Sequence, residues 1–256
     1  RRLVKMACEG GSCGKSSSKL NNGGISLAVS IMMISVCLTS ASSPTIVFDV
    51  YSDLACPWCY VGKDNLDAAI ANFRKSGGTE NIEVHWKPFM IDPATAKEGE
   101  EYMAYNRRRW GSDGWTYSLP GRRDNTKFQN WKTWPNTLHA HRLMHLAEQK
   151  GGWELQHRAK GILFRMIYED GENISLLPTL VKAAEELGIE GAEKYLKSDQ
   201  DVDVVKSEAR EASRMGISGV PLFLAYRADV EHKPMTLSGA QPTKALQQCI
   251  KELCQK

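Results

Sequence analysis

The pattern of apolar and polar positions separates a leader without core-forming periodicity from a body that alternates strands and helices. Residues 45–51, Thr-Ile-Val-Phe-Asp-Val-Tyr, are rich in β-branched and aromatic side chains and predict a buried strand. Residues 60–73 carry Val61, Leu66, Ala69, Ile70 and Phe73 at helical spacing, and Gly77-Gly78 ends that helix. Residues 82–86 alternate as a second strand, so the body opens as strand, helix, strand, the order of a parallel βαβ unit. Apolar stripes over residues 138–149, 154–168 and 177–187 predict helices, and Val202, Val205, Ala209, Ala212 and Met215 predict another that stops at Gly216. Residues 222–226 and 235–237 read as strands joined by a turn, and a last helix spans 243–253. No fixed-period repeat is visible.

Residues 91–198 lie between the second strand and the helix after Asp199, too long a stretch for a loop inside a compact domain. They are expected to form a helical insert, with 45–90 and 199–256 making one core and 1–43 a leader. In the leader, Arg1, Arg2 and Lys5 precede an apolar run from Ile25 to Leu38, followed by Thr39-Ser40-Ala41. That run is shorter than a membrane span and matches a secretory or organellar targeting segment. Read instead as a gene-model extension, with Met6 as a candidate true start, the leader leaves a cytoplasmic chain. Residues 100–135 are harder to read. They interleave Arg107, Arg108 and Arg109 with Trp110, Trp115, Trp131 and Trp134, a texture that can contact nucleic acid. Glu100, Glu101, Asp113 and Asp124 dilute the charge, and a net charge of +3 over 256 residues adds no support. A surface cover or substrate groove is the better reading, with no nucleic-acid partner.

Seven cysteines are too few for a disulfide scaffold of this length, and their placement is more telling. Cys56-Pro57-Trp58-Cys59 follows the first strand and opens the first helix. Cys-x-x-Cys in a βαβ setting is a redox signature. Pro57 suits the first helical position because it lacks an N–H that would be orphaned there. Cys56 is then the N-cap, facing the positive end of the helix, and its pKa is expected to fall. Cys59 shares its face one turn inward, so Cys56 is expected to attack and Cys59 to resolve the mixed disulfide. A zinc site from this pair with His141 and His145 is disfavoured by the more than eighty residues between them, and no metal is expected. Cys249 and Cys254 are five apart on the last helix, about 8.6 Å between Cα atoms, beyond disulfide reach.

Gly219-Val220-Pro221 before a strand completes a pattern. With Ser52-Asp53, the Cys-x-x-Cys, Trp86-Lys87-Pro88-Phe89, Asn136-Thr137, Ala140-His141-Arg142, Leu163-Phe164-Arg165 and Ser238-Gly239-Ala240, the chain from Thr45 onward resembles the DsbA-like branch of the thioredoxin superfamily. Within that branch it is similar to FrnE-like dithiol–disulfide oxidoreductases. The resemblance implies an α/β thioredoxin fold with an inserted all-helical domain. It implies a cis Pro221 beside Cys56 and Cys59, and a Val220 backbone that pairs with an extended substrate. Pro57 and Trp58 would border that substrate. Asn136, His141 and Arg142 match the stretch expected to face the site, and Trp131 and Trp134 are candidate groove residues. The expected activity is exchange of the Cys56–Cys59 dithiol/disulfide with protein or small-molecule thiols, with no bound cofactor and glutathione as a candidate co-substrate. Kappa-class glutathione transferases and hydroxychromene-carboxylate isomerases share the architecture but carry serine where Cys56 stands. A glutathione-dependent isomerase or transferase is therefore the first alternative, and a redox-inactive binding or chaperone module the second.

Overall fold

In the computed structural model, which describes residues 45–255, strands β1 (Thr45–Ser52) and β2 (Asn81–Pro88) pair in parallel from Thr45 opposite Asn81 to Ser52 opposite Pro88. The expected leader, with Cys8, Cys13 and Cys37, lies outside the described residues. Helix α1 (Pro57–Lys75) makes the crossover between β1 and β2, so the expected βαβ unit is present. The sheet is completed by β5 (Leu222–Arg227) and β6 (Met235–Ser238) in the order β2-β1-β5-β6, with β5 antiparallel to both neighbours. β1 is central and carries the apolar residues Ile46, Phe48 and Val50, all fully buried. Helix α7 (Thr243–Cys254) packs on α1, β1 and β5.

The chain between β2 and β5 consists of helices, one short ribbon, and irregular stretches over 89–99 and 111–132 that include a 3-10 helix at Gly114–Ser118. β3 (Glu100–Glu101) and β4 (Thr133–Trp134) pair as two-residue strands. The helices are α2 (Tyr102–Trp110), α3 (Leu138–Tyr168), α4 (Leu177–Leu187), α5 (Ala192–Lys197) and α6 (Val202–Arg214). The two helices expected over 138–168 form one element broken at Gly151-Gly152. Gly152 has φ +66°, which a side chain would strain. α3 and α6 both pack on β2, and α3 also meets α1. That docking brings the middle of α3 under the start of α1. Among the described residues no helix is long and apolar enough to cross a membrane.

Two helices were not anticipated from the pattern. α2 starts at Glu101, whose carboxylate accepts from Met103 N at 2.9 Å and Ala104 N at 2.7 Å. Glutamate is outside the usual N-cap set, so the start is silent in the sequence. α5 has only six residues and is held by Arg142, as described below.

Candidate active site

Cys56 is the N-cap of α1, with extended backbone at φ −91° and ψ 110°, and Pro57 occupies the first turn. Ser52 and Asp53 turn the chain from β1 into this position. The Asp53 carboxylate accepts from Ala55 N at 3.3 Å and Ile91 N at 2.8 Å. It also meets His141 Nε2 at 3.4 Å, and that ring nitrogen lies 3.1 Å from the Phe89 carbonyl. Asp53 is held below the usual carboxylate value even though burial pushes it up, because His141 and the Ile91 N–H stabilise its charge. Burial holds His141 below the ordinary histidine value. The result is a buried brace that ties the active turn to the end of β2 and to α3.

Cys59 is fully buried, whereas Cys56 is 4 % exposed and opens onto a cavity of about 610 Å³. Pro57, Trp58, Trp110, Trp115, Trp134 and Val220 contribute to its walls, and Arg109 is its one charged lining residue. The Val220–Pro221 bond is cis. The Cys56 thiol donates to the Val220 carbonyl oxygen at 3.6 Å. Gly62 on α1 lies beneath the same loop, where an added Cβ would stand 2.9 Å from Pro221 Cγ and 3.3 Å from Phe223.

The two thiols are hydrogen-bonded to each other and titrate as a pair. The proton that stays does so on Cys56, whose thiol is pushed well up by the hydrogen bond to Cys59, by burial and by the charge of Cys59. Burial also raises Cys59, but the hydrogen bond from Cys56 and the Lys160 ammonium outweigh it and bring Cys59 below its ordinary value. This corrects the expectation that Cys56 has the lowered pKa. The N-cap placement holds, but the sulfur accepts no capping hydrogen bond. The Cys59 N–H is turned to the Cys56 carbonyl at 3.0 Å and gives the Cys56 sulfur only a smaller lowering, while the one thiol proton serves either Cys59 or the Val220 oxygen 3.6 Å away.

The residues expected around the pair divide. Pro57, Trp58, Val220 and Trp134 line the Cys56 cavity, with Pro221 directly behind Val220. Asn136 does not reach it: its amide donates to the Thr95 carbonyl at 2.8 Å, and it borders a separate cavity beside α6. His141 is 5 % exposed and reaches the site only through Asp53. Trp131 is in an aromatic cluster with Tyr102 at 4.6 Å and Tyr168 at 5.1 Å, as packing and not as groove wall. Arg142 points away altogether, donating to the carbonyls of Tyr195, Leu196, Ser198 and Gln200. His145 pairs with Asp201 at 3.8 Å, so the histidines of the zinc alternative do not converge on the cysteines. Among the described residues no group of three or more His, Cys, Asp or Glu side chains could hold a metal ion.

Sequence reasoning gave no role to Asp53, Gly62 or Lys160. Lys160 carried a readable signal, since it falls on the apolar face of α3 with Ala159, Leu163 and Phe164, where a lysine is out of place.

A sequence model of the DSBA-like thioredoxin domain matches residues 47–251. The chain belongs to that family. It is a family of thiol–disulfide oxidoreductases, and the site just described occupies the cysteine pair and cis-proline loop of this DSBA-like thioredoxin fold. The uncharacterised protein YwbO of Bacillus subtilis is 26 % identical over 187 residues, 70 % of this chain and 86 % of its own length. A probable DsbA oxidoreductase of Streptomyces coelicolor is also 26 % identical and superposes with a TM-score of 0.68, covering 82 % of this chain and 91 % of that one. The cytosolic disulfide reductase DsbM of Pseudomonas aeruginosa, also solved with GSH, superposes at 0.58 with 17 % identity in its unliganded form, over 82 % of this chain and all of that one. At that identity the likeness is one of fold.

Proposed function

We propose that the Cys56–Cys59 pair exchanges a dithiol for a disulfide with thiol-bearing substrates. Cys56 attacks and Cys59 resolves. The observation that carries this reading is the position of Cys56, which caps α1, contacts Cys59, and is the sulfur of the pair that opens onto the aromatic cavity. In the oxidising direction for Cys56 and Cys59, the Cys56 thiolate attacks one sulfur of a substrate disulfide. That S–S bond breaks, the first substrate sulfur leaves as a thiolate and takes up a proton, and a mixed disulfide forms. Deprotonated Cys59 then attacks Cys56 Sγ, releasing the second substrate thiol and closing Cys56–Cys59. Two electrons pass to the substrate, and the reverse sequence returns them.

The cavity beside Cys56 is apolar with one arginine, which suits a cysteine flanked by apolar groups and supports both peptide disulfides and a small thiol such as glutathione as substrates. In this reading the chain of 91–198 is a separate helical domain that caps the cysteine face through Trp110, Trp115 and Trp134. Reduced protein mixed with a peptide disulfide, and separately with glutathione disulfide, should release two thiols per protein while Cys56–Cys59 forms. Release in neither assay overturns the exchange reading. A glutathione-dependent isomerase would use one group at position 56 and keep its activity in Cys59→Ser. A binding module would keep its affinity in both cysteine variants.

A further inference from the structure

A cavity of about 390 Å³ lies against α6, across residues 89–93 from the cavity that holds Cys56. Met90, Pro93, Leu138 and Ala209 give it apolar walls, and Lys206 and Arg210 bring two positive charges to its lining. The two cations stand one turn apart on α6, so they share a face of the helix. Lys206 is half-buried and Arg210 exposed. Among the described residues neither takes part in an ion pair or a hydrogen bond. No acidic side chain lines the cavity. The acids of α6 serve elsewhere, Glu211 pairing with Arg214 at 3.3 Å and Glu208 bordering a different cavity with Lys87.

Two separate stretches of chain reach both cavities. In the exit from β2, Phe89 and Ile91 line the Cys56 cavity, whereas Met90 and Pro93 line the α6 cavity. The segment is therefore a partition one chain thick. Between α6 and β5, Ser213 lines the α6 cavity, and Ser218, Gly219 and Val220 line the Cys56 cavity. Phe89, Ala212 and Ile217 form an apolar cluster that ties these stretches together, with Ile91 and Val220 packed on it. The two cavities are thus neighbours along one continuous surface. An extended chain covers at most about 3.3–3.6 Å per residue, so the step from Phe89 to Pro93 spans at most about 14 Å. A polypeptide whose cysteine stands at Cys56 reaches the α6 cavity with a side chain about four residues away, on the same arithmetic.

We propose that the α6 cavity is a second docking subsite for protein substrates, taking an acidic side chain with an apolar neighbour from the same chain that Cys56 attacks. In naming that occupant the inference rests on the exchange reading above. Charge and continuity select it. Two cations without acids match a carboxylate, the apolar walls match the aliphatic groups beside it, and the shared surface leads from there to the reacting sulfur. Asn136 then borders the substrate at this subsite and not at the cysteines. Its side chain is committed to the wall itself, donating to the Thr95 carbonyl and accepting from Leu138 N.

The test uses disulfide peptides in matched pairs, with Glu or Gln about four residues before or after the cysteine under attack. The rate of mixed-disulfide formation with Cys56 is read as kcat/KM. In wild type the Glu peptide should react about fivefold faster than its Gln partner in one of the two placements, the worth of one partly exposed ion pair, and added salt should shrink the ratio. In Lys206→Gln/Arg210→Gln the ratio should fall to about one, because no cation is left to meet the carboxylate. In Lys206→Glu/Arg210→Glu a Lys peptide should react faster than the Glu peptide. Each ratio is taken within one protein, so a general loss of activity cancels, and neither position is buried, which leaves the fold in place. Equal rates for Glu and Gln peptides at both placements in wild type, or one ratio shared by wild type and the double variants, overturn the proposal. Fluorescence anisotropy with a Glu peptide whose cysteine is replaced by serine needs no exchange. Binding weakened several-fold by Lys206→Gln/Arg210→Gln supports the subsite even where no thiol is released, a result that would remove the exchange reading alone. Equal binding by the two proteins overturns the subsite and leaves the exchange reading standing.

Discussion

The Cys56 thiol donates to the carbonyl of Val220 across 3.6 Å, joining residues 164 positions apart in the chain. The contact places the exposed sulfur of the pair against the backbone proposed to meet an incoming strand, and the one thiol proton serves this carbonyl or Cys59 but not both at once. Attack requires whichever of these hydrogen bonds holds the proton to be released as the proton leaves. Cys59→Ser should accumulate covalent adducts with thiol substrates through Cys56, and Cys56→Ser should form none. Turnover falls to background in both. Intact-mass spectrometry after incubation with a disulfide peptide checks the pair, and adducts on Cys59 in the Cys56→Ser variant would reverse the assigned roles.

The Asp53–His141 brace predicts acid lability. Both groups have folded values below their unfolded ones. The unfolded chain therefore binds more protons in each window, and stability falls as pH falls. For His141 the loss begins as pH drops below about 6.5, and for Asp53 it begins below about 3.8, each continuing to the lower folded value. Urea titrations from pH 8 to pH 4 should show a declining unfolding free energy. His141→Gln should flatten the part of the decline that starts near pH 6.5. A parallel decline in that variant would show that another group carries it.

Two tryptophans of the same region should behave oppositely. Trp131 is 5 % exposed inside an aromatic cluster, so Trp131→Ala should cost about 3–5 kcal/mol of stability. Trp110 is 49 % exposed on the cavity wall, with Arg109 over its ring at 5.1 Å. Trp110→Ala should leave stability within about 0.5 kcal/mol and raise KM for disulfide peptides several-fold. Denaturant curves and steady-state kinetics on both variants separate packing from substrate contact.

Gly62 leaves no space for a methyl group beneath Pro221. An added Cβ at 2.9 Å from a ring carbon must displace either α1 or the loop. Gly62→Ala should cost about 1–3 kcal/mol and lower the exchange rate, while Gly77→Ala, at an open surface site with positive φ, should leave the exchange rate unchanged. Stopped-flow thiol exchange on the two variants makes the comparison.

Arg142 is fully buried and donates to four carbonyls at the end of α5 and the start of α6, with its guanidinium 4.8 Å from the Tyr195 ring. Arg142→Ala strands those acceptors and should cost about 3 kcal/mol or more. Thermal unfolding should report that loss. Exchange activity measured well below the melting transition should stay at the wild-type level, because Arg142 does not face the cysteines.

The periodicities of residues 45–90 and 199–255 and the Cys-x-x-Cys opening a helix were enough to read the sheet, its βαβ start and the location of the redox pair. Those features are local: alternation decides a strand, apolar spacing decides a helix, and Pro57 decides where α1 begins. The rest depended on contacts between distant segments. Glu101 capping α2 and the two-residue pairing of Glu100–Glu101 with Thr133–Trp134 leave no periodic trace, which is why residues 100–135 resisted reading. Asn136 and Arg142 were expected at the site from the resemblance, and Trp131 from its place with Trp134 in the tryptophan-rich insert. On a helix or a turn, adjacent residues face different ways, and only the docking of α3 on β2 decided which of them met the cysteines. The same docking set His141 against Asp53 and buried the Lys160 charge, which lowers Cys59. The charge balance of the pair followed from it, because a buried thiol answers to the few groups within reach and not to the motif that names it.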